Sequence, residues 1–263
     1  MSNQISRLVV AAIGAPLVLG LVWLGGWWLF ALMAVAGLFA LHEYWLLVKP
    51  LRPLSLAGYG GFFAALVGAK LGGVVWMTGG FLLVFALSFV FQGMSRTRAP
   101  ATVAVSSTVL GAAWLGFGLG SILLLRDVGV HGDLLALTVV LAVWAADTFA
   151  YFVGRLIGRH KLAPVLSPGK TWEGFVAGVV AAVFVTFVAL YHQNVLSIGE
   201  SVVLGFAVAL AEAAGDLFES MLKRDMQVKD TGRLLAGHGG MLDRIDALLF
   251  AAPAAYWTIL ALT

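Results

Sequence analysis

Long uncharged apolar runs alternate along the chain with short segments that hold most of its charges. Residues 8–42, 174–199 and 247–263 contain no Asp, Glu, Lys or Arg. A helix needs about 20 apolar residues to cross the roughly 30 Å hydrocarbon core of a bilayer, so runs of this kind predict membrane spans. Dividing the chain at its charges and at Gly or Pro clusters predicts nine transmembrane helices, at 8–24, 27–48, 54–69, 74–92, 101–125, 134–153, 174–192, 199–218 and 246–262. The third and fourth are short and rich in glycine, so eight spans are the alternative.

The composition supports the same class of protein. Apolar residues make up 61% of the 263 residues and charged residues 11%, against about 45–50% and about 25% in soluble domains. The predicted fold class is therefore an all-α polytopic integral membrane protein. The first apolar run continues past Trp28 towards Glu43 without a cleavage-site pattern, which favours a retained pair of spans over a signal peptide. The chain has no cysteine for thiol chemistry, and a net charge of +3 is too small to indicate a nucleic-acid partner.

The basic residues predict the orientation in the membrane. With nine spans and a cytosolic N-terminus, 14 of the 16 Lys and Arg residues fall on the cytosolic side, and only Lys70 and Arg126 fall outside. An excess of Lys and Arg is typical of cytosolic loops. Removing one span would reverse every later segment and abolish this bias. The distribution therefore favours nine spans with the N-terminus in the cytosol.

Two of the predicted cytosolic segments hold most of the charges. Residues 147–173 and 212–246 contain 18 of the 29 charged residues, with acids as frequent as bases. A loop that only connects helices needs a few basic residues for topology but no matching supply of carboxylates. We therefore expect a functional site here, and we divide the chain into N-terminal transmembrane helices at 1–133 and a C-terminal catalytic region at 134–263.

Three acids and one base share a helix face at the end of the eighth predicted span. Glu212, Asp216, Glu219 and Lys223 are spaced by 4, 3 and 4 residues, which places them on one side of a helix. Carboxylates near the hydrocarbon edge are costly and rarely face lipid. Acids on a shared face suggest a nearby cation, since like charges otherwise repel or take up protons. Salt bridges to Lys223 and Arg224 that fix the helix end are an equally good interpretation.

The next segment favours the first interpretation. Gly237, Gly239 and Gly240 surround His238, and such glycines let backbone N–H groups approach an anionic ligand. A helix is then predicted to begin, with Asp243 and Asp246 on one face. Mg²⁺ takes carboxylate oxygens and usually keeps waters and substrate phosphates as further ligands. The positive charge that phosphates need comes from Lys223, Arg224, Lys229 and Arg244.

The other charged segment contains Gly169-Lys170-Thr171, which invites comparison with a phosphate-binding P-loop. That motif needs glycine five residues before Gly169, where this chain has Pro164, and no strand is predicted ahead of it. We therefore predict a flexible cationic turn before the seventh span. It would either bind phosphate or fix the topology.

The chain resembles the phosphatidate cytidylyltransferase (CDP-diacylglycerol synthase) family. Residues 220–246 read SMLKRDMQVKDTGRLLAGHGGMLDRID, and every charged position of the family signature is present. The resemblance implies that Asp216 and Asp243 bind a metal ion, with Asp147 as a further candidate, and that Lys223 and Asp246 take part in catalysis. It also implies substrate contacts from Ser167, Lys170, Ser220, Arg224, Lys229, Asp230, His238, Gly239, Gly240 and Arg244.

The reaction that this resemblance implies is CTP + phosphatidic acid → CDP-diacylglycerol + pyrophosphate. It implies Mg²⁺, leaves room for a second, monovalent cation, and suggests a homodimer in a bacterial cytoplasmic membrane with the site facing the cytosol. One alternative is a CTP-dependent lipid kinase of the polyprenol-kinase type, which would release CDP. Another is a secondary transporter, although those often carry ionisable groups near the bilayer midplane and inverted repeats, whereas here the charges gather at helix ends.

Overall fold

The computed structural model of the protein describes residues 3–94, 100–232 and 239–262. Most of these residues are helical, which confirms the predicted all-α class. The α-helices are α1 (Asn3–Leu24), α2 (Gly26–Leu47), α3 (Ser55–Met94), α4 (Ala101–Arg126), α5 (Gly132–Ile157), α6 (Trp172–Thr186), α7 (Ile198–Asp225) and α8 (Leu242–Leu262). A 3₁₀ turn follows α2 at Lys49–Leu51, and α6 continues as a π-helical segment at Phe187–Tyr191.

The helices are long and apolar enough to cross a bilayer. Within the described residues seven of them, α2 to α8, meet that condition, and α1 contributes a shorter apolar stretch at Ala12–Leu24. Large apolar side chains such as Trp28 and Phe89 are exposed on the helix surfaces, as expected where lipid is the solvent. The protein is therefore an integral membrane protein. Each of the nine predicted spans lies within a helical segment or extends beyond it by one residue at an end, while the count of nine and the cytosolic N-terminus remain predictions.

Helix α3 is a helical hairpin rather than one rod of 40 residues. Gly73 interrupts it with φ +68° and ψ −156°, a conformation that is essentially restricted to glycine. The two halves pack against each other at close range, because Gly80 lies directly against the backbone of Ala64 and Ala65. These halves correspond to the third and fourth predicted spans. The glycines that made the prediction of two separate spans less certain include Gly80, which allows the two halves to pack closely.

We predict that Gly80→Ala destabilises the protein and that Gly79→Ala does not. A Cβ atom at Gly80 would collide with the Ala65 backbone, whereas a Cβ at Gly79 would meet no atom within 4 Å. Overpacking of this kind costs about 1–3 kcal/mol. Thermal unfolding in one detergent should show a lower midpoint for Gly80→Ala alone. Equal midpoints for the two variants would contradict the tight contact.

The chain forms two compact units. The first comprises residues 1–124 and 226–245, and the second comprises 125–225 and 246–263. The first unit is held by aromatic side chains between α2 and α4. The buried Tyr44 hydroxyl donates to the carbonyl of Ser107 over 2.9 Å, and its ring packs edge-on against Trp114. The backbone N–H of Leu54 donates to Thr108 Oγ1 over 2.7 Å, fixing the start of α3 to α4.

In the second unit α5, α6 and α7 pack together beside a small β-hairpin. Strands β1 (Lys161–Ala163) and β2 (Ser167–Thr171) pair antiparallel. The prediction of a flexible turn at this position is therefore wrong, because Gly169-Lys170-Thr171 lies in strand β2. Pairing with residues of β1 decides this conformation, and no local pattern of apolar and polar positions reveals it. The hairpin joins α6 at its base, where the N–H of Trp172 donates to the carbonyl of His160 over 2.9 Å.

Candidate active site

A cavity of 690 Å³ lies within the second unit between the β-hairpin and helices α5, α6 and α7. Its lining combines charged and polar side chains with small and apolar residues such as Gly178, Val179 and Ala213. The polar side chains that line it include Asp147, Arg155, Ser167, Lys170, Glu212 and Asp216. A cavity of this size can hold a substrate of the drug-like or nucleotide class.

Glycines on α5 and α6 bring these helices close enough to shape the cavity. A Cβ at Gly174 would lie 2.5 Å from the carbonyl oxygen of Ala150 and 3.2 Å from the Cα of Gly154. Small residues at helix contacts permit this approach in membranes. Thr171 ends β2 and caps α6, because its Oγ1 accepts a hydrogen bond from the Gly174 N–H over 3.2 Å. The hairpin and its charges are thereby held at the N-terminus of α6.

The hairpin and α7 meet in an ion pair. Lys170 Nζ lies 2.7 Å from Asp216 Oδ2, and both side chains are only partly exposed. The Ser220 hydroxyl approaches the other oxygen of Asp216 at 3.4 Å. Farther along α7, Arg224 Nε donates to the carbonyl of Leu166 over 3.2 Å. The cationic segment is therefore anchored to α7 at two points, with Asp216 central to one of them.

Acidic side chains cluster around Asp216. The carboxyl group of Glu212, one turn earlier on α7, interacts directly with Asp147 of α5 and lies in the field of Asp216. Glu212 is only 6% exposed. One turn later Glu219 interacts directly with Asp246 of α8. The predicted acidic face of α7 is thus matched by acids from two neighbouring helices.

Glu219 also forms a salt bridge, as expected from the alternative interpretation in which ion pairs fix the end of α7. Its Oε2 lies 2.7 Å from Lys223 Nζ in an i,i+4 pair, while its Oε1 has no hydrogen-bond partner among the described residues. Glu219 is 1% exposed and Asp246 is 9% exposed. The charge of buried acids of this kind must be offset by a nearby cation or by a bound proton. A structural salt bridge and an acidic cluster therefore occur on the same helix face, and Lys223 is held within it.

The donor set around Asp216 fits a hard divalent cation. Carboxylate oxygens from Asp147, Glu212 and Asp216 line one cavity, and Asp216 already holds the ammonium of Lys170. Within the described residues no three His, Asp or Glu side chains are arranged to hold a metal ion by themselves. Mg²⁺ is usually bound by one or two carboxylates together with waters and substrate phosphates. A magnesium ion would therefore depend on the substrate for part of its ligand set.

In the first unit Asp243 organises the loop that leads into α8. Its Oδ2 accepts hydrogen bonds from the N–H and Oγ1 of Thr231, at 3.2 and 3.0 Å, and from the Gly240 N–H at 2.9 Å. Thr231 directly precedes the glycine-rich segment, residues 232–240, and Gly240 is its last residue. One carboxylate oxygen therefore ties together the two ends of that segment.

Sequence reasoning did not identify Glu43, which contacts the same loop. Its Oε2 accepts a hydrogen bond from the Leu242 N–H over 2.8 Å, and the side chain is 4% exposed. The available signal was its position as a single acid near the end of an otherwise uncharged helix, since ionisable residues in a span are functional candidates by default. Tyr151 and Lys161 also line the cavity and were not predicted.

The predicted site residues divide between the two units. Asp147, Ser167, Lys170 and Asp216 line the cavity of the second unit, next to Ser220, Lys223, Arg224 and Asp246. Gly239 and Gly240 of the first unit precede α8, Asp243 lies in the first turn of that helix, and Lys229, Asp230 and Arg244 are exposed. His238 and Gly237 fall outside the described residues. The roles assigned to all of these residues, including a metal ion shared by Asp216 and Asp243, remain predictions.

The fold and the site together define a polytopic membrane protein with a charged, substrate-sized cavity that is lined by three of its apolar helices and the β-hairpin. Residues 5–262 match the family described as the Cytidylyltransferase family. The chain therefore belongs to this family, which confirms the resemblance found in residues 220–246.

Relatives of known name agree with this assignment. A phosphatidate cytidylyltransferase of Mycobacterium bovis is 34% identical over 97% of this chain and 87% of its own length. That of Brucella melitensis is 35% identical over 97% of this chain and 93% of its own length. The Haemophilus influenzae enzyme of the same name is 46% identical over 128 residues, which span 47% of this chain and 44% of that protein.

Proposed function

We propose that the protein is a phosphatidate cytidylyltransferase, which converts CTP and phosphatidic acid to CDP-diacylglycerol and pyrophosphate. Family membership and the named relatives support this activity. The observation that carries it is the cavity, whose lining combines the Lys170–Asp216 ion pair with small and apolar residues of α5, α6 and α7. Such a cavity suits a substrate with an anionic headgroup and acyl tails, because the tails remain in lipid while the headgroup reaches the water-soluble nucleotide.

The reaction joins two phosphates and needs little proton transfer. A phosphate oxygen of phosphatidic acid attacks the α-phosphorus of CTP, the new P–O bond forms, and the bond to the β-phosphate breaks as pyrophosphate leaves. A phosphate monoester has a second pKa of about 6 and is largely ionised near neutral pH, so a strong general base is not required. Catalysis then rests on alignment and on neutralising the charge of the phosphates.

The cationic side chains of the cavity suit this task. Lys170, Lys161 and Arg155 all line it, and Arg155 Nη1 is oriented by the Tyr151 hydroxyl at 2.9 Å. We assign these groups to the substrate phosphates. Mg²⁺ bound at Asp216, with Asp147 as a further candidate ligand, would neutralise charge on the phosphoryl oxygens. Asp243 remains the second metal carboxylate of the proposal, and replacing it alone tests its role independently of Asp216.

The setting of the reaction is also part of the proposal. The positive-inside distribution favours a site on the cytosolic face, where CTP is available. The bacterial relatives favour the cytoplasmic membrane. A homodimer is proposed from the family resemblance alone, and crosslinking of the protein in lipid nanodiscs would test it.

We expect purified protein in phosphatidic acid vesicles to release pyrophosphate from CTP, and chelation by EDTA to abolish the release. Adding back Mg²⁺ should restore activity, while Ca²⁺ should not, because Ca²⁺ prefers more ligands at longer distances. Pyrophosphate and CDP are measured together, with vesicles lacking phosphatidic acid as the control. Release of CDP in place of pyrophosphate would identify a lipid kinase, and full activity in EDTA would exclude the magnesium proposal.

A further inference from the structure

Glu43 lies where the two ends of the glycine-rich segment approach each other. A Cβ atom at Gly232 would be 2.5 Å from Glu43 Oε1, and the three nearest atoms to that Cβ all belong to Glu43. A Cβ at Gly240 would collide with Glu43 Oε2. The carboxyl group therefore occupies the space that side chains at these two positions would need. Both glycines belong to the same compact unit as Glu43.

The same carboxyl group fixes the start of α8. Leu242 is the first residue of that helix, and the first N–H groups of any helix lack partners within it. Glu43 Oε2 accepts the Leu242 N–H over 2.8 Å. An acidic group at a helix N-terminus is also favoured by the helix dipole. Glu43 thus acts as a cap supplied by a helix 199 residues away in sequence.

The burial of an acidic side chain at position 43 indicates that Glu43 does more than fill space between helices. The side chain is 4% exposed, and Oε1 has no hydrogen-bond partner among the described residues. An apolar residue at this position of a membrane helix would avoid the desolvation of a carboxyl group. A residue that only filled space would not need to be acidic.

We propose that Glu43 is a positioning residue, which holds residues 231–232 and 239–242 in the conformation that places the Asp243 carboxylate for its proposed metal ion and the neighbouring N–H groups for the substrate phosphates. It acts through Gly232, Gly240 and Leu242 and does not touch the reacting atoms. Asp243 Oδ2 binds Thr231 and Gly240, so a shift of the loop would move Asp243 as well. The inference rests on the proposed cytidylyltransferase function for its kinetic consequences.

A double-mutant cycle between Glu43 and Gly232 tests this contact. Gly232→Ala should lower kcat/KM for CTP by about 10- to 100-fold when Glu43 is present, because the new methyl group displaces the carboxyl group. In the Glu43→Ala background the space is open, so the same change should cost little more. Glu43→Gln keeps an acceptor oxygen and should retain more activity than Glu43→Ala.

The matched control is His42→Ala, which should leave activity unchanged. The His42 ring is exposed, and its Nδ1 lies 3.2 Å from the Tyr59 hydroxyl.

Amide hydrogen exchange separates this inference from the proposed function. Glu43→Ala should accelerate exchange in peptides covering 226–245, and His42→Ala should not. Equal losses from Gly232→Ala in both backgrounds, or unchanged exchange in Glu43→Ala, would overturn the positioning role. A wild-type protein without phosphatidic-acid-dependent pyrophosphate release would overturn the function, while the exchange experiment would still decide the role of Glu43.

Discussion

Replacing Asp216 with Asn is expected to lower kcat by about 10²–10³-fold, the effect typical of removing one major electrostatic contact from a transition state. The change keeps the size of the side chain but removes the charge that holds Lys170 Nζ at 2.7 Å and, in the proposed mechanism, the magnesium ion. Pyrophosphate release from CTP in phosphatidic acid vesicles is the measurement. The Mg²⁺ concentration for half-maximal rate should rise as well, because a metal ligand has been weakened.

Asp225→Asn is the matched control for this experiment. Asp225 is an exposed acid at the end of the same helix, and it lies outside the cavity lining. The substitution makes the same change of charge on α7, so it controls for a general electrostatic effect on CTP binding. Near-normal turnover in Asp216→Asn would refute its assignment as a metal ligand. An equal loss in Asp225→Asn would show that net charge, rather than the position of Asp216, is responsible.

The membrane helices could be predicted because lipid imposes a strong and local rule on the sequence. Every backbone polar group in hydrocarbon must be paired within the segment, so an uncharged apolar run leaves few alternatives to a helix. The hairpin within α3 shows the limit of this rule. The division near residue 73 was visible as a glycine-rich interruption, but only the conformation of Gly73 and the contact of Gly80 with Ala65 show that the halves pack together.

The candidate site was predictable only where its residues are close in sequence. The acidic face of α7 follows from helical spacing, so the sequence alone places Glu212, Asp216 and Glu219 together. The strands β1 and β2 could not be predicted, because three- and five-residue strands depend on pairing with each other. The contact of Glu43 with Leu242 joins residues that no local pattern relates. Long-range contacts of this kind depend on how the helices pack.

Replacing Asp243 with Asn is expected to lower kcat by about 10²–10³-fold, for the same electrostatic reason as at Asp216. The amide oxygen of Asn can still accept the hydrogen bonds that Oδ2 receives from Thr231 and Gly240. The loop should therefore keep its conformation, and the loss should reflect the missing charge. Unchanged amide exchange in peptides covering 226–245, together with the reduced rate of pyrophosphate release, would be the expected pair of results.

Variants of Thr231 separate the charge of Asp243 from its placement. Thr231→Val removes the hydroxyl that donates to Asp243 Oδ2 over 3.0 Å while leaving the carboxylate charged. Hydrogen bonds to charged groups contribute about 1.5–3 kcal/mol, so kcat should fall by about tenfold or somewhat more, and Thr231→Ser should remain close to wild type. If Asp243→Asn lost no more activity than Thr231→Val, Asp243 would serve only to fix the loop. The metal role would then have to belong to the acids of the second unit alone, because the charge of Asp243 would contribute nothing beyond its hydrogen bonds.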